Sequence, residues 1–164
     1  MCEMTEVMNR KKFLKICMDI EGLSAELYHF YSKNFEDIPE AALLWKKTAL
    51  EEENHQKQFE LALRLLDDTD FEVPEDSLMR AYSILEKLLK LLKHVQNNKP
   101  ELLTAVSKAI EMEEKLADLH VHTTLIFMEE SMHKMFMALN KADVGHDLQR
   151  YRMILNLPHT EMEG

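Results

Sequence analysis

The chain has 164 residues, enough for one domain with a real core, and its 30 acidic against 20 basic side chains give a formal charge of -10. That acidity excludes a surface built for nucleic acid or anionic lipid, and no stretch approaches the roughly 20 apolar residues of a membrane helix. Cys2 and Cys17 form no CxxC pair, which excludes zinc-ribbon, rubredoxin and thioredoxin-type sites.

Only three Gly and four Pro interrupt a chain dominated by Leu, Met, Glu, Lys and Ala, the straight-chain helix formers, so the fold class is all-α. The twelve Met, at helical spacing, read as core filler. The opening MCEMTEVMNRKKF is mixed and charged, unlike a signal peptide, so a cytoplasmic location is expected.

In chain order, a first helix is expected over residues 8–34. The Asp37-Ile38-Pro39-Glu40 segment reads as a cap, with Asp37 accepting from backbone donors and Glu40 reaching back. A second helix runs to residue 66 and is broken by the polar stretch 67–74. Residues 76–95 form an amphipathic helix rich in Leu and Lys, stopped by Asn97-Asn98-Lys99-Pro100. A fourth helix covers 100–127, residues 128–131 read as a hairpin turn with Ser131 as N-cap, and a last helix reaches 155, before Pro158. Two long hairpins joined by a long connection imply an antiparallel four-helix bundle, with the 76–95 helix in the crossover and residues 1–164 as one domain.

An internal repeat supports the pairing of hairpins. Residues 21–28, EGLSAELY, resemble residues 113–120, EEKLADLH. With one deletion, Trp45, Glu52 and His55 then correspond to Phe136, Asp143 and His146.

Steps of three and four residues trace the inward stripe of each helix. They give Leu14, Cys17, Glu21, Ser24, Tyr28 and Tyr31 on the first helix, and Trp45, Ala49, Glu52, His55, Phe59, Ala62 and Leu66 on the second. The fourth gives Leu102, Val106, Ala109, Glu113, Leu116, His120, Thr123 and Phe127. The last gives Met132, Phe136, Leu139, Asp143 and His146, then Gln149 or Arg150. Each stripe carries one carboxylate among apolar residues. Four inward carboxylates cannot stay bare, because desolvating each ion costs several kcal/mol. They must be protonated, paired with cations or bound to metal, and Arg150 is the one clear cation on the stripes. Two divalent ions would neutralise four carboxylates, and Glu-x-x-His puts both of its ligands on one helix face.

This pattern resembles the rubrerythrin branch of the ferritin-like diiron-carboxylate proteins, over about residues 8–155. Glu21 followed by Tyr28 resembles the first-helix ligand and its neighbouring tyrosine, and Glu52-Glu53-Asn54-His55 the first Glu-x-x-His. Glu113 takes the place of the third-helix ligand, and Asp143-Val144-Gly145-His146 that of the second Glu-x-x-His. The resemblance implies a metal site of Glu21, Glu52, His55, Glu113, Asp143 and His146, with Tyr28 as a catalytic neighbour of the ligands. It implies two iron ions or another divalent metal, and reduction of peroxide or dioxygen with electrons from a separate donor such as a rubredoxin-like protein. A homodimer, with no nucleic-acid or membrane partner, is expected.

The chain departs from the pattern in four places. Asp143 is one methylene shorter than Glu, Leu116 stands where a further glutamate is common, His120 replaces a tyrosine, and the cysteines of a rubredoxin domain are absent. A rival set, Glu130 with His133 and Glu111 with Glu114, is disfavoured: Glu130 falls at the expected turn, and Glu111 and Glu114 leave the apolar stripe. Two other functions stay open, iron binding or storage without turnover and a metal-free bundle acting through its surfaces.

Overall fold

The computed structural model describes the backbone of residues 2–65, 73, 75–126 and 144–156, and the side chains of 10–65, 73, 76–120 and 147–156. Among the described residues there are five helices and no strand: α1 Cys2–Asn34, α2 Pro39–Arg64, α3 Glu75–Asn97, α4 Leu102–Ile126 and α5 Val144–Leu155. None of these helices is long and apolar enough to cross a membrane. The expected turn at 128–131, the start of the last helix, and the stripe positions Leu66, Phe127, Met132, Phe136, Leu139 and Asp143 lie outside the described residues, as does the rival pair Glu130 and His133, and Thr123 is described in its backbone alone.

The break between α1 and α2 is made by backbone, not by the expected side-chain cap. Ile38 is the N-cap and makes no side-chain capping bond, while Pro39 stands at the first helical turn. The Ile38 amide already donates to the Phe35 carbonyl at 2.9 Å, and the Ala42 amide to the Ile38 carbonyl at 3.0 Å. The capping position therefore falls on Ile38 rather than Asp37, and Asp37 and Glu40 stay exposed.

From that turn α1 and α2 run back along each other. Ser32 donates to the Ala42 carbonyl at 3.0 Å, Tyr31 packs on Trp45, and Glu21 approaches His55. Partner numbers rise on α2 as they fall on α1, so the pair is antiparallel. Tyr28 meets Glu113 and Glu21 meets His120, which makes α4 antiparallel to α1 by the same reasoning. α3 buries Ala81, Ile84, Leu88, Leu92 and Val95, a stripe at steps of three and four, and packs against α1 and α4.

The inward stripes of α1 and α2 are buried as their periodicity predicts, polar members included. An aromatic layer closes them near the turn: Tyr28 stacks on Trp45 at 5.6 Å, and Tyr31 meets the same indole at 4.8 Å. Each such ring contributes roughly 1.5–3 kcal/mol by burial. Cys17 is a buried free thiol within this core. Among the described side chains of α5 the buried one is Leu148, with Tyr151 and Leu155 packed beside it, whereas Gln149 and Arg150 are exposed. Arg150 is thus no buried counter-ion. Leu148 wins the inward position because it covers apolar core, whereas a buried guanidinium there would lose its hydration.

Candidate metal centre

Glu21 sits near the middle of α1, and Glu52 and His55 lie one turn apart on α2. All three are buried. One ligand atom from each lies within 4.8 Å of the others. His55 Nδ1 is 3.4 Å from Glu52 Oε1 and 3.6 Å from Glu21 Oε2. These are ion-pair separations without hydrogen-bond geometry: Glu21 Oε2, both Glu52 oxygens and His55 Nδ1 have no hydrogen-bond partner. Three side chains that each turn a ligand atom to one place, with buried and unpartnered polar atoms among them, are what a divalent cation requires of its ligands. The Glu21–Glu52–His55 group can hold a metal ion.

The protonation pattern follows from the same crowding. Burial pushes the Glu52 carboxyl well above its usual range, and the charges of Glu113 and Glu21 push it further. Burial acts upward on Glu21 too, but the His120 imidazole beside it, with smaller contributions from His55 and Glu52, holds it well below the carboxylate range. Burial lowers His55, yet the carboxylates of Glu21, Glu113 and Glu51 together outweigh it and the net shift is upward. Without metal, then, these surroundings favour the negative charge on Glu21 and the proton on Glu52. A bound cation would displace that proton.

Two further side chains tie α4 to the group. Tyr28 donates its hydroxyl to Glu113 Oε1 at 2.5 Å, and His120 Nε2 is 2.6 Å from Glu21 Oε1. Tyr28 lies seven residues after Glu21, and His120 seven after Glu113. Seven residues make about two turns, so each aromatic shares its own carboxylate's face while reaching the carboxylate of the other, antiparallel helix. Burial and the neighbouring carboxylates hold the Tyr28 phenol well above its usual value, so it stays a donor. Burial lifts Glu113 to about 7, against the pull of the Tyr28 hydrogen bond.

The structure therefore brings Glu21, Glu52 and His55 together, sets Glu113 beside them through Tyr28, and adds His120. His120 was legible on the α4 stripe only as a substituted tyrosine; its bond to Glu21 spans 99 positions. Asp143 lies outside the described residues, and His146 is in α5 with its side chain outside them. Glu111 and Glu114 are exposed, so the rival Glu-x-x-Glu pair does not enter the core. No protein-family model, no curated protein and no solved structure matches the chain.

Proposed function

We propose that this protein is a diiron-carboxylate protein of rubrerythrin type, reducing peroxide or dioxygen with electrons from a separate donor. The observation that carries the metal reading is the set of four unpartnered polar atoms on Glu21, Glu52 and His55 in the buried core. One ion would be held by Glu21, Glu52 and His55, and a second by Glu113 with Asp143 and His146. Support for the ferritin-like arrangement comes from helix directions: α2 and α4 both oppose α1, so the chain must travel back between them, and α3 is the intervening helix.

A bound iron pair would pass the donor's electrons to the oxygen substrate and offer open positions for it. The chain's own residues supply the rest. Glu21 would ligate as the carboxylate, Glu52 would release its proton to solvent as the cation takes that proton's place, and the Tyr28 hydroxyl holds Oε1 of Glu113 through its hydrogen bond. The aromatic layer of Tyr28, Tyr31 and Trp45 seals one end of the site.

The test is metal content after anaerobic loading with ferrous iron, measured by mass spectrometry, followed by peroxide consumption with a chemical reductant. Two irons and turnover support the proposal. Bound iron without turnover favours a storage or binding role, and no iron above background favours a metal-free bundle. Asp143→Ala and His146→Ala should reduce two ions to one if the second site is as assigned.

A further inference from the structure

The Glu21 carboxylate is asymmetric in its surroundings. Its Oε1 is engaged by His120 Nε2 at 2.6 Å, whereas its Oε2 has no hydrogen-bond partner and faces His55 Nδ1 at 3.6 Å. A carboxylate that ligates a cation is ionised and has no proton to give, so with a cation on Glu21 the proton of this contact belongs to His120 Nε2 and the imidazole is the donor. Both residues are buried, and the bond joins α1 to α4 across the core. His120 is not within the cluster of ligand atoms formed by Glu21, Glu52 and His55, although its ring lies edge-on to His55 at 5.8 Å.

We infer that His120 is a positioning residue: by holding Oε1 of Glu21 it leaves only Oε2 for a divalent cation bound with Glu52 and His55. Glu21 is then a one-oxygen ligand with a fixed carboxylate plane. The inference rests on metal binding at that group. Carboxylates that ligate metals are commonly oriented by a hydrogen bond to the second oxygen, and loss of such a partner costs about 10–100-fold in affinity. With Oε1 released, Glu21 could turn and chelate through both oxygens, which changes the geometry as well as the strength of the site.

The full-length protein is titrated with zinc(II) in wild-type form and as His120→Phe and His120→Gln. His120→Phe should weaken binding about 10–100-fold. His120→Gln, whose amide Nε2 can donate from nearly the same place, should recover most of that loss. Infrared difference spectra of zinc-loaded against metal-free protein, with labelled glutamate carboxylates, give the second readout. The wide carboxylate splitting of a one-oxygen ligand should appear in wild type and His120→Gln, and a narrowed one in His120→Phe. Equal affinity and splitting in wild type and His120→Phe would overturn the positioning role alone. So would X-ray absorption showing two imidazoles on the zinc, because His120 would then itself be a ligand. A wild-type protein that binds no zinc overturns the metal reading and the positioning role together.

Discussion

Tyr28 on α1 donates its hydroxyl to Glu113 on α4 at 2.5 Å while its ring lies stacked on Trp45. One side chain thus serves the core with its face and the candidate centre with its edge. The two roles separate by mutation. Tyr28→Phe keeps the stack and removes the donor, and should cost about 1–3 kcal/mol, the range for a buried hydrogen bond to an acidic partner. Tyr28→Leu loses both and should cost more. Urea unfolding of the two variants checks the order; a Phe variant as stable as wild type would show that Glu113 finds another partner.

Glu52→Gln should divide stability from binding. Burial and the charges of Glu113 and Glu21 disfavour the Glu52 anion, and neither of its oxygens has a partner. A neutral amide of the same shape relieves the metal-free protein of that repulsion. Stability should rise by about 1 kcal/mol at pH 8, where the carboxyl is pressed to ionise, and by less at pH 5. Metal affinity should fall by at least tenfold, because an amide neutralises no charge. Destabilisation by Glu52→Gln at pH 8 would mean that the metal-free site is already satisfied.

Opposite pH responses are expected with and without metal. In the metal-free protein Glu52 is raised and Glu113 is lifted to about 7, each mainly by burial, so the folded state keeps protons that the unfolded chain releases above about 4.5. Stability therefore falls as pH rises through about 5 to 7. His55 acts in the same sense: burial lowers it, Glu21 with Glu113 and Glu51 raises it more, and the contribution of its charged form at low pH is lost as pH climbs. Glu21 is lowered, so its contribution is complete above the unfolded value and lost only in stronger acid. Metal ligation needs His55 neutral and the carboxylates ionised, so the loaded form should lose stability below about pH 6. Calorimetry across pH 5 to 8 with chelator and with zinc(II) should give melting temperatures of opposite slope. A metal-free melting temperature that climbs over that range would contradict the buried-proton account.

The candidate centre was legible in sequence where the information is local. Glu21, Glu52 and His55 stand out because they interrupt apolar stripes at steps of three and four, and burial follows the stripe. Two errors have equally local causes. Asp37 looks like a cap, but the helix starts at Pro39 with Ile38 as its N-cap, so Asp37 falls one residue outside the capping position. In α5 apolar residues occur on several sides, with Met153 and Ile154 exposed, so twelve residues left the inward face ambiguous and Leu148 rather than Arg150 occupies it. What periodicity cannot give is pairing between helices. That His120 serves Glu21 while Tyr28 serves Glu113 is decided by how α1 and α4 pass each other, which no single helix encodes.

Gly22, beside Glu21 in the middle of α1, shows how closely α2 approaches. A Cβ there would lie 2.5 Å from Gln56 Nε2 and 3.1 Å from its Cδ. The obstacle is the end of a flexible side chain, not backbone, and the Gly22 φ is not positive. Gly22→Ala should therefore displace the Gln56 amide without moving the helix. Alanine gains about 0.8–1 kcal/mol of helix propensity and restricts the unfolded chain. Loss of the Gln56 packing offsets part of this, leaving a net stabilisation of about 0.5 kcal/mol and unchanged metal affinity. Gly22→Leu is different, since a branched side chain cannot be cleared by one amide. It should wedge α1 from α2, separate Glu21 from Glu52 and His55, and lower both stability and zinc(II) affinity. Denaturation and zinc titration of the two variants distinguish the outcomes. An alanine variant that loses affinity would show that Gln56 is held firmly and that the helix spacing at Gly22 sets the distance between Glu21 and His55.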